Sequence, residues 1–361
     1  MSNLINLTVA TDIEGQGGIA TVLNVYRDSG FFEEQNVRLI ASHSGTGKYG
    51  ALSSMALYLS ALLKVSFYLI FYKVGLVHIH MASRGSYLRK SILVRLVKLL
   101  GGRVLLHLHG AEFREFYKNE CSPKKQAHIR KTFEMSDSVI VLSSQWVGWA
   151  KQAFKKSNHI KVLYNAVPCS ELKRTHINKG LIVFLGRLGQ RKGVLDLINA
   201  FVLVKKECPE ARLSLGGDGD MEFYRNEVET HGLSDSVHFH GWVSGADKDQ
   251  LLEEADIYTL PSYNEGFPMG VIEAMSAGIP VVSTRAGGIP DAITDKEDGL
   301  LVDAGDVDAL ACALIRLIKE REFNSALARS AQLKFNQQFS VGVIIPKLKS
   351  VYAELLHKEV G

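Results

Sequence analysis

Short apolar runs alternate with longer segments of helical periodicity along the first half of the chain. Each run is rich in Val, Ile and Leu and has the length of a buried strand. The predicted strands are Ile5–Ala10, Val37–Ser42, Leu76–His80, Val104–His109, Ser138–Ser143 and Lys161–Tyr164. Strands that alternate with helices favour a parallel sheet covered on both faces, so the predicted fold class is α/β.

The same alternation begins again after His176–Lys179. Its predicted strands are Leu181–Leu185, Arg212–Leu215, Val237–His240, Asp256–Leu260 and Val281–Thr284. The simplest interpretation is two Rossmann-like, doubly wound domains that cover residues 1–167 and 168–343. Because ligands of such sheets lie at the carboxyl ends of the strands, the expected site is an interdomain cleft. The last segment, Ile344–Lys358, is an amphipathic helix.

Composition and charge narrow the class of protein. Apolar residues make up 46% and charged residues 22% of the chain, which is typical of a globular protein. A formal net charge of +4 falls short of the dense basic clusters of nucleic-acid binders, so no nucleic-acid partner is expected. The four cysteines are far apart with no C-x-x-C, and the amino terminus lacks a secretory pattern. These features predict reduced thiols and a cytoplasmic protein.

Two helical segments of the first half are candidates for membrane contact. Leu52–Val74 is the most apolar stretch, but Lys64 interrupts it and four serines punctuate it, which favours a buried or membrane-facing helix over a span. Ser86–Arg103 places Arg and Lys between leucines and valines. Such a segment is either an ordinary Rossmann helix or a basic face that lies on an anionic membrane. The second interpretation predicts a peripheral protein on the cytoplasmic face of the inner membrane.

The most informative stretch is Pro261–Asp291, which follows a predicted strand. It indicates a polar loop, a helix with Pro268 in its first turn, and another strand after Gly278. Glu265 then lies in the loop at the helix entrance, and Glu273 lies inside the helix. Carboxylates accept paired hydrogen bonds from neighbouring hydroxyls, and helix N-termini favour anions. The layout therefore predicts a long ligand with hydroxyls at both ends and phosphates between them.

Loops at other strand ends carry groups that suit the phosphates. Arg187 follows a predicted strand and Lys192 opens the next helix, which are positions where anions bind. The loop Gly15–Gly18 follows the first strand and lets backbone approach a diphosphate, although a flexible turn has the same composition. The sequence thus places phosphate-binding candidates in both halves of the chain.

Four histidines form two H-x-H pairs on neighbouring predicted strands, His78 with His80 and His107 with His109. A zinc site is one interpretation, but no acid or cysteine of suitable spacing completes it, so no metal is expected. His107 is expected to pack in the core, whereas His78 and His80 either pack or line a site.

Two sets of motifs resemble those of one enzyme family. The segments Glu265-Gly266-Phe267-Pro268, Glu273-Ala274-Met275 and Ala277–Val282, with Gly186-Arg187-Leu188 and Lys192-Gly193 upstream, are similar to the signature of the retaining family 4 glycosyltransferases of the GT-B fold. Together they span most of the second half. The resemblance implies a two-domain enzyme that transfers a hexosyl group from a nucleotide-diphosphate sugar, with UDP favoured over GDP.

The resemblance also implies roles for individual residues. Glu273 would bind the ribose hydroxyls, Glu265 and the following loop would hold the sugar hydroxyls, and His109 would contact the sugar near the reacting carbon. Arg187 and Lys192 would hold the diphosphate and neutralise the charge that grows on it. The donor-binding residues are Gly17, Gly18, Arg187, Lys192, Glu265, Gly266, Phe267, Pro268, Met269 and Glu273, and the catalytic ones are His109, Glu265, Arg187 and Lys192.

The implied reaction needs neither a metal nor a cofactor, and no side-chain base is obligatory because the departing phosphate can take the proton. The expected acceptor is a glycan or a polyprenyl-linked sugar, in cell-envelope polysaccharide synthesis, and the helix at residues 344–361 is expected to pack back on the first domain. The alternatives are a non-catalytic nucleotide-sugar or lipid-binding module, or a GT-B epimerase or phosphorylase. The presence of both acids and both phosphate-binding cations disfavours the module and the epimerase.

Overall fold

The computed structural model describes residues 4–15, 17–44 and 51–357. The chain divides into two compact units. The first contains Met1–Ala166 together with Val341–Gly361, and the second contains Val167–Ser340. Each unit has its own parallel sheet, so each is described by itself.

Six parallel strands form the sheet of the first unit, in the order β2-β1-β3-β4-β5-β6. The strands are β1 Ile5–Ala10, β2 Val37–Ala41, β3 Val74–Met81, β4 Val104–Leu108, β5 Ser138–Val141 and β6 Ile160–Val162. All six were predicted, with bounds that differ by two residues at most. Because the strands are parallel, their carboxyl ends meet at one edge of the sheet.

Helices cover both faces of this sheet. They are α1 Gly18–Asp28, α2 Phe31–Glu34, α3 Ala51–Phe71, α4 Gly85–Leu99, α5 Phe113–Asn119, α6 Pro123–Glu134, α7 Ser144–Ala153 and, from the end of the chain, α15 Val341–His357. On one face, Val65 of α3 and Val97 of α4 join a buried core with Ile79 of β3. On the other face, Tyr352 of α15 meets the side chain of His78.

The second unit has six parallel strands in the order β12-β11-β10-β7-β8-β9. They are β7 Leu181–Leu185, β8 Arg212–Gly216, β9 Val237–Gly241, β10 Ile257–Leu260, β11 Val281–Thr284 and β12 Leu300–Val302. Sequence reasoning missed β12, because three residues are too few to show a period. Asp256, predicted as a strand residue, lies immediately before β10. The predicted fold class, α/β with two doubly wound sheets, is confirmed.

The helices of the second unit include the one that carries Glu273. They are a 3-10 helix Gln190–Lys192, α8 Val194–Glu207, α9 Met221–Thr230, α10 Gly245–Glu254, α11 Met269–Ser276, α12 Ile289–Ala292, α13 Val307–Lys319 and α14 Arg321–Gln338. Pro268 is the extended N-cap of α11 rather than a first-turn residue. The helix therefore begins one residue later than predicted. Gly278, with φ +65°, ends the helix as predicted. Glu273 therefore lies in the second turn of a short helix.

Candidate active site

The carboxyl ends of β7, β8, β10 and β11 bring four loops together in the second unit. Gly193 has φ +68°, and a side-chain carbon there would lie 2.0 Å from the carbonyl oxygen of Pro261. Gly287 has φ +54°, and the same carbon would lie 1.7 Å from the carbonyl oxygen of Glu265. Only glycine permits these approaches. They hold the loop that carries Glu265 tightly against its two neighbours.

Glu265 is a buried carboxylate that is held through one oxygen. Its Oε1 accepts hydrogen bonds from Lys192 Nζ at 2.5 Å and from Ser262 Oγ at 2.7 Å, and Arg191 Nη1 lies 3.9 Å away. Its Oε2 accepts no hydrogen bond from any residue that the structure describes. The side chain is only 7% exposed. This second oxygen is therefore available to accept a hydrogen bond from a ligand hydroxyl.

Glu273 repeats this arrangement on α11. Its Oε1 accepts a hydrogen bond from Lys248 Nζ of α10 at 2.9 Å, and the side chain is 17% exposed. Its Oε2 also has no hydrogen-bond partner within the described ranges. Each predicted acid is therefore paired with a lysine through one oxygen and keeps the other available.

Tyr258 is a buried residue of β10 that is influenced by both acids. Burial, and then the negative charges of Glu273 and Glu265, raise the pKa of the Tyr258 phenol well above its ordinary value. The neutral hydroxyl donates to the carbonyl oxygen of Leu185 at 3.3 Å. Gly270 of α11 must lack a side chain, because a side-chain carbon there would lie 2.2 Å from this hydroxyl oxygen. The Tyr258 hydroxyl thus lies directly against Gly270 of α11, and the charges of both carboxylates act on it.

Arg187 follows Gly186 directly after β7, and the side chain of Lys192 lies close to the same glycine. The backbone around them is fixed, because Gly186 N donates to Gly216 O at 2.9 Å and Leu188 N donates to Asp218 O at 2.6 Å. Arg187 itself is exposed, and within the described part of the chain it forms no ion pair. A side-chain carbon at Gly186 would lie 3.6 Å from Lys192 Cε. The structure therefore brings the two predicted phosphate-binding cations to one place.

The loop from Gly266 to Met269 offers its backbone rather than its side chains. Phe267 is buried, and its ring centroid lies 5.3 Å from that of Phe339. Pro268 has no N–H to donate, so its part is to start the helix. Within α11, the first helical hydrogen bond runs from Ile272 N to Pro268 O at 3.4 Å. The N–H groups of the preceding turn have no acceptor within the helix and are suited to an oxygen-rich ligand.

In the first unit, Gly17 and Gly18 lie at the start of α1. Gly17 is the N-cap with φ +117°, which residues other than glycine rarely adopt. Gly18 is the first helical residue, and a side-chain carbon at either position would meet no atom within 4 Å. Gln16, which precedes Gly17 in the predicted loop, lies outside the described residues. The structure thus gives a conformational reason for Gly17 and shows open space beside both glycines.

The histidines of the first unit form one cluster. His80 pairs with His107 in the register of β3 and β4, His80 Nδ1 lies 2.8 Å from His109 Nε2, and His78 Nε2 lies 3.2 Å from His107 Nδ1. His78, His80 and His107 are buried, whereas His109 is partly exposed. Burial lowers the pKa of His109 to about 3, and burial and His109 lower that of His78 to about 3. The cluster is therefore neutral near pH 7, and His109 is the member that reaches the surface.

Three of these imidazoles also lie close enough to hold a metal ion. The ligand nitrogens of His78, His80 and His107 are within 4.8 Å of one another. Nε2 of His80 and Nε2 of His107 have no hydrogen-bond partner among the described residues. Both nitrogens of His78, however, lie within hydrogen-bonding distance of other side chains. The absence of a metal therefore stays a prediction, which elemental analysis of the purified protein would test.

Sequence reasoning missed three residues that the fold adds to the site. Lys248 has no motif around it, and its side chain on α10 reaches Glu273 on α11 only in the folded structure. Tyr258 was predicted only as part of a strand. Ser262 was noted only as part of the loop, although its position three residues before Glu265 was a usable signal. A cavity of 370 Å³ elsewhere in this unit, lined by His238, His240 and Trp242 among others, contains none of the predicted donor-binding residues.

Comparison with known proteins finds a family match in the second unit. Residues 172–334 match the family described as Glycosyl transferases group 1. The N-acetyl-alpha-D-glucosaminyl L-malate synthase of Bacillus anthracis is 26% identical over 302 residues, which cover 79% of this chain and 76% of that protein. The amylovoran biosynthesis glycosyltransferase AmsK of Erwinia amylovora is 27% identical over 320 residues, which cover 86% and 76%. The sulfoquinovosyl transferase SQD2 of Arabidopsis thaliana is 34% identical, but over only 29% of its own length.

Solved structures extend the likeness to the whole chain. Anabaena Alr3699/HepE, in complex with UDP and glucose, matches with a TM-score of 0.75 and 20% identity over 98% of this chain and 100% of its own. Sucrose-phosphate synthase from Thermosynechococcus elongatus matches with a TM-score of 0.80 and 19% identity over 98% and 99%. At these identities the likeness shows the fold alone, and it confirms the predicted GT-B class. Within the second unit, residues 172–334, a little under half of the chain, are similar to the glycosyl transferases group 1 family.

Proposed function

We propose that this protein is a retaining glycosyltransferase that moves a hexosyl group from a UDP-sugar, rather than a GDP-sugar, to a glycan or polyprenyl-linked acceptor. The proposal rests on the hydrogen-bond partners of Glu265 and Glu273. Each carboxylate is paired with a lysine through Oε1 and has no partner for Oε2 among the described residues. Two such oxygens on one loop and the helix that follows fit a ligand with hydroxyls at both ends.

Donor binding would exchange the partners of Lys192. In the structure its ammonium group neutralises Glu265, with 15% of the lysine side chain exposed. An arriving diphosphate would take the charge of Lys192 and Arg187, and Glu265 would turn to the sugar hydroxyls. Because each buried charge gains a new polar partner, the exchange avoids the penalty of an unpaired ion. At the other end, Glu273 would bind the ribose hydroxyls, with Lys248 as its counter-ion.

The chemistry would consist of orientation and charge stabilisation. The acceptor oxygen attacks the anomeric carbon on the face from which the phosphate leaves, the bond from that carbon to the phosphate oxygen breaks, and the acceptor proton passes to the departing phosphate. Arg187 and Lys192 would stabilise the negative charge that develops on the diphosphate. This route uses no metal and no cofactor. The roles of Gly17, Gly18 and His109 rest on the family resemblance.

The relatives support the finer parts of the proposal. HepE has been solved in complex with UDP and glucose, which supports a UDP-sugar donor here. AmsK is named for amylovoran biosynthesis, which supports cell-envelope polysaccharide synthesis in the cytoplasm as the setting.

A thermal-shift screen with UDP, GDP and ADP tests the donor site. A nucleotide that binds the native state raises the melting temperature, and we expect UDP to give the largest rise. Glu273→Gln should weaken UDP binding about ten- to hundred-fold, because it removes a charge-assisted hydrogen bond. Glu229→Gln, on an exposed face of α9, is the matched control and should bind UDP like the wild type.

Two results would contradict the proposal. A GDP shift larger than the UDP shift would overturn the assigned base, and equal UDP binding by Glu273→Gln would overturn the assigned ribose contact. Incubation with UDP-sugars should release UDP when an acceptor extract is added. UDP binding with no turnover on any acceptor would favour the non-catalytic module instead.

A further inference from the structure

The outer face of α3 is apolar and exposed. Leu52 is 89% exposed, Leu63 72% and Phe71 69%. Of the sixteen large hydrophobic side chains that are exposed among the described residues, eight lie between Leu52 and Tyr72, and three more lie on α4. Monomeric soluble proteins rarely expose so large a continuous apolar patch without a use for it.

These side chains form one stripe. At 3.6 residues per turn, positions separated by three or four residues share a helix face, and six exposed residues of α3 follow that spacing: Leu52, Met55, Leu59, Leu63, Phe67 and Ile70. The opposite stripe, with Tyr58, Ala61 and Val65, is buried in the core of the first unit. The helix is therefore apolar on both faces, but the residues that the structure describes bury only one of them.

Helix α4 widens the exposed face. The hydroxyl of Tyr58 donates to the carbonyl oxygen of Arg89 at 2.7 Å, so α3 and α4 lie side by side on the same face of the sheet. Leu88, Ile92 and Leu99 are the exposed apolar residues of α4. The outer face of α3 and these three residues of α4 are called the apolar face below.

Cations predominate in the segment that carries the apolar face, although Arg84 and Lys98 are paired with acids from elsewhere and Lys90 is buried. Between Gln35 and Ala111 the chain has ten Lys and Arg residues and no Asp or Glu. Lys64 and Lys73 border the stripe, are exposed, and form no ion pair with the described residues. Lysine side chains at such borders extend their ammonium groups to anionic headgroups while their stems remain on apolar surface.

This charge decides between the possible occupants. A second copy of the chain, related by a two-fold axis, would bring these cations against the same cations, which is unfavourable. The segment Leu52–Phe71 is long and apolar enough to span a membrane by length and composition, and 17% of it is buried. The buried stripe, however, ties α3 to the core between β2 and β3. An anionic bilayer surface satisfies both the outer stripe and the cations.

We propose that the apolar face lies flat on an anionic membrane, with the outer stripe of α3 inserted at the boundary between headgroups and acyl chains. The contact does not depend on the donor site, which lies in the other unit. Because α3 follows β2 and α4 follows β3, both helices begin near the carboxyl edge of the first sheet. If the proposed function holds, a polyprenyl-linked acceptor would reach the enzyme at that edge.

Vesicle flotation tests the membrane contact. Wild-type protein should float with phosphatidylcholine vesicles that contain phosphatidylglycerol, and less with phosphatidylcholine alone. The double variant Leu63→Ser with Phe67→Ser should partition about 100-fold less, since two large side chains no longer leave water on binding. Both residues are exposed, so the variant should fold and keep its UDP thermal shift. Leu333→Ser, 62% exposed on α14 in the other unit, is the matched control and should bind like the wild type.

Further experiments test the lysines beside the apolar face and the alternative occupants of that face. Lys64→Glu with Lys73→Glu should weaken binding to anionic vesicles about ten- to hundred-fold, with little effect on neutral ones. Wild-type protein that stays with the soluble fraction for every vesicle would overturn the proposal. A dimer in analytical ultracentrifugation that Leu63→Ser with Phe67→Ser dissociates would assign the apolar face to a second copy instead. The UDP thermal shift reports on the donor site alone, so failure of either proposal is distinguishable from failure of the other.

Discussion

The two ends of β10 carry buried carboxylates in two different kinds of environment. Asp256, before the strand, is 1% exposed, and Glu265, after it, is 6% exposed. Asp256 uses both oxygens, because Arg321 donates to them at 2.6 and 2.8 Å and Gly180 N donates to Oδ2 at 2.8 Å. Glu265 uses Oε1 alone, mainly for Lys192.

The difference separates a structural acid just before β10 from a proposed functional acid in the loop after it. Arg321 begins α14 and Gly180 precedes β7, so Asp256 ties a helix to the amino edge of the sheet. Glu265 lies at the carboxyl edge, where parallel sheets bind ligands, and has one oxygen available. Removal of Arg321, the partner of Asp256, should therefore reduce stability. Removal of the Glu265 carboxylate should reduce activity.

The largest expected effect is on catalysis. Glu265→Gln keeps the shape of the side chain but removes its charge, so sugar orientation and the pairing of Lys192 are lost together. We expect kcat to fall about 100- to 1,000-fold, as when a positioned polar group is removed from an active site. UDP release, followed with a coupled assay, measures the change. A variant that retains activity within a few-fold of the wild type would show that Glu265 is a second structural acid.

The next effect is on stability. Arg321→Met leaves the buried Asp256 without its cation, and we expect the free energy of unfolding to fall by about 2–3 kcal/mol, less than for a fully buried pair because Arg321 is partly exposed. Urea unfolding followed by circular dichroism measures this. Lys319→Met, which breaks a fully exposed pair with Glu207, is the control and should leave the free energy of unfolding almost unchanged. A loss for Arg321→Met no larger than this control would remove the distinction between the ends of β10.

The smallest expected effect is on the pH dependence of stability, and it comes from histidines that are buried in their neutral form. The ordinary histidine pKa of 6.5 is lowered to about 3 for His78 and His109, so the unfolded chain binds protons that the folded chain does not. The stability they contribute is complete above pH 6.5 and falls as the pH drops towards 3. The fall should approach about 1.4 kcal/mol per pH unit for each histidine.

His109→Gln tests this pH dependence. The variant should show a shallower loss of stability between pH 6.5 and 5 than the wild type, because one histidine no longer titrates on unfolding. Unfolding in urea can be followed by the fluorescence of Trp146 and Trp149, which are buried in the first unit. An unchanged slope would mean that His109 is protonated in the folded protein as readily as in the unfolded chain.

Much of the fold was predictable because its signals are local. Strands such as Leu181–Leu185 and Val281–Thr284 were predicted to the residue, since each is a short apolar run between polar segments. The start of α11 was predicted one residue early, at Pro268 instead of Met269, and β12 was missed, because short elements carry little periodicity. The acids and cations of the site were named from motifs, yet no motif indicated how they pair.

The sequence alone determined the fold class, the two-unit organisation and the identity of Glu265, Glu273, Arg187 and Lys192 as candidates, because strand length, helix signals and motif spacing are properties of neighbouring residues. The tertiary structure decided which groups meet. Lys192 is 73 positions before Glu265, and Lys248 is 25 before Glu273, so only the packing of the loops and helices brings these charges together. It also decided that the outer stripe of α3 remains uncovered, since periodicity shows an apolar face but not whether another element packs on it.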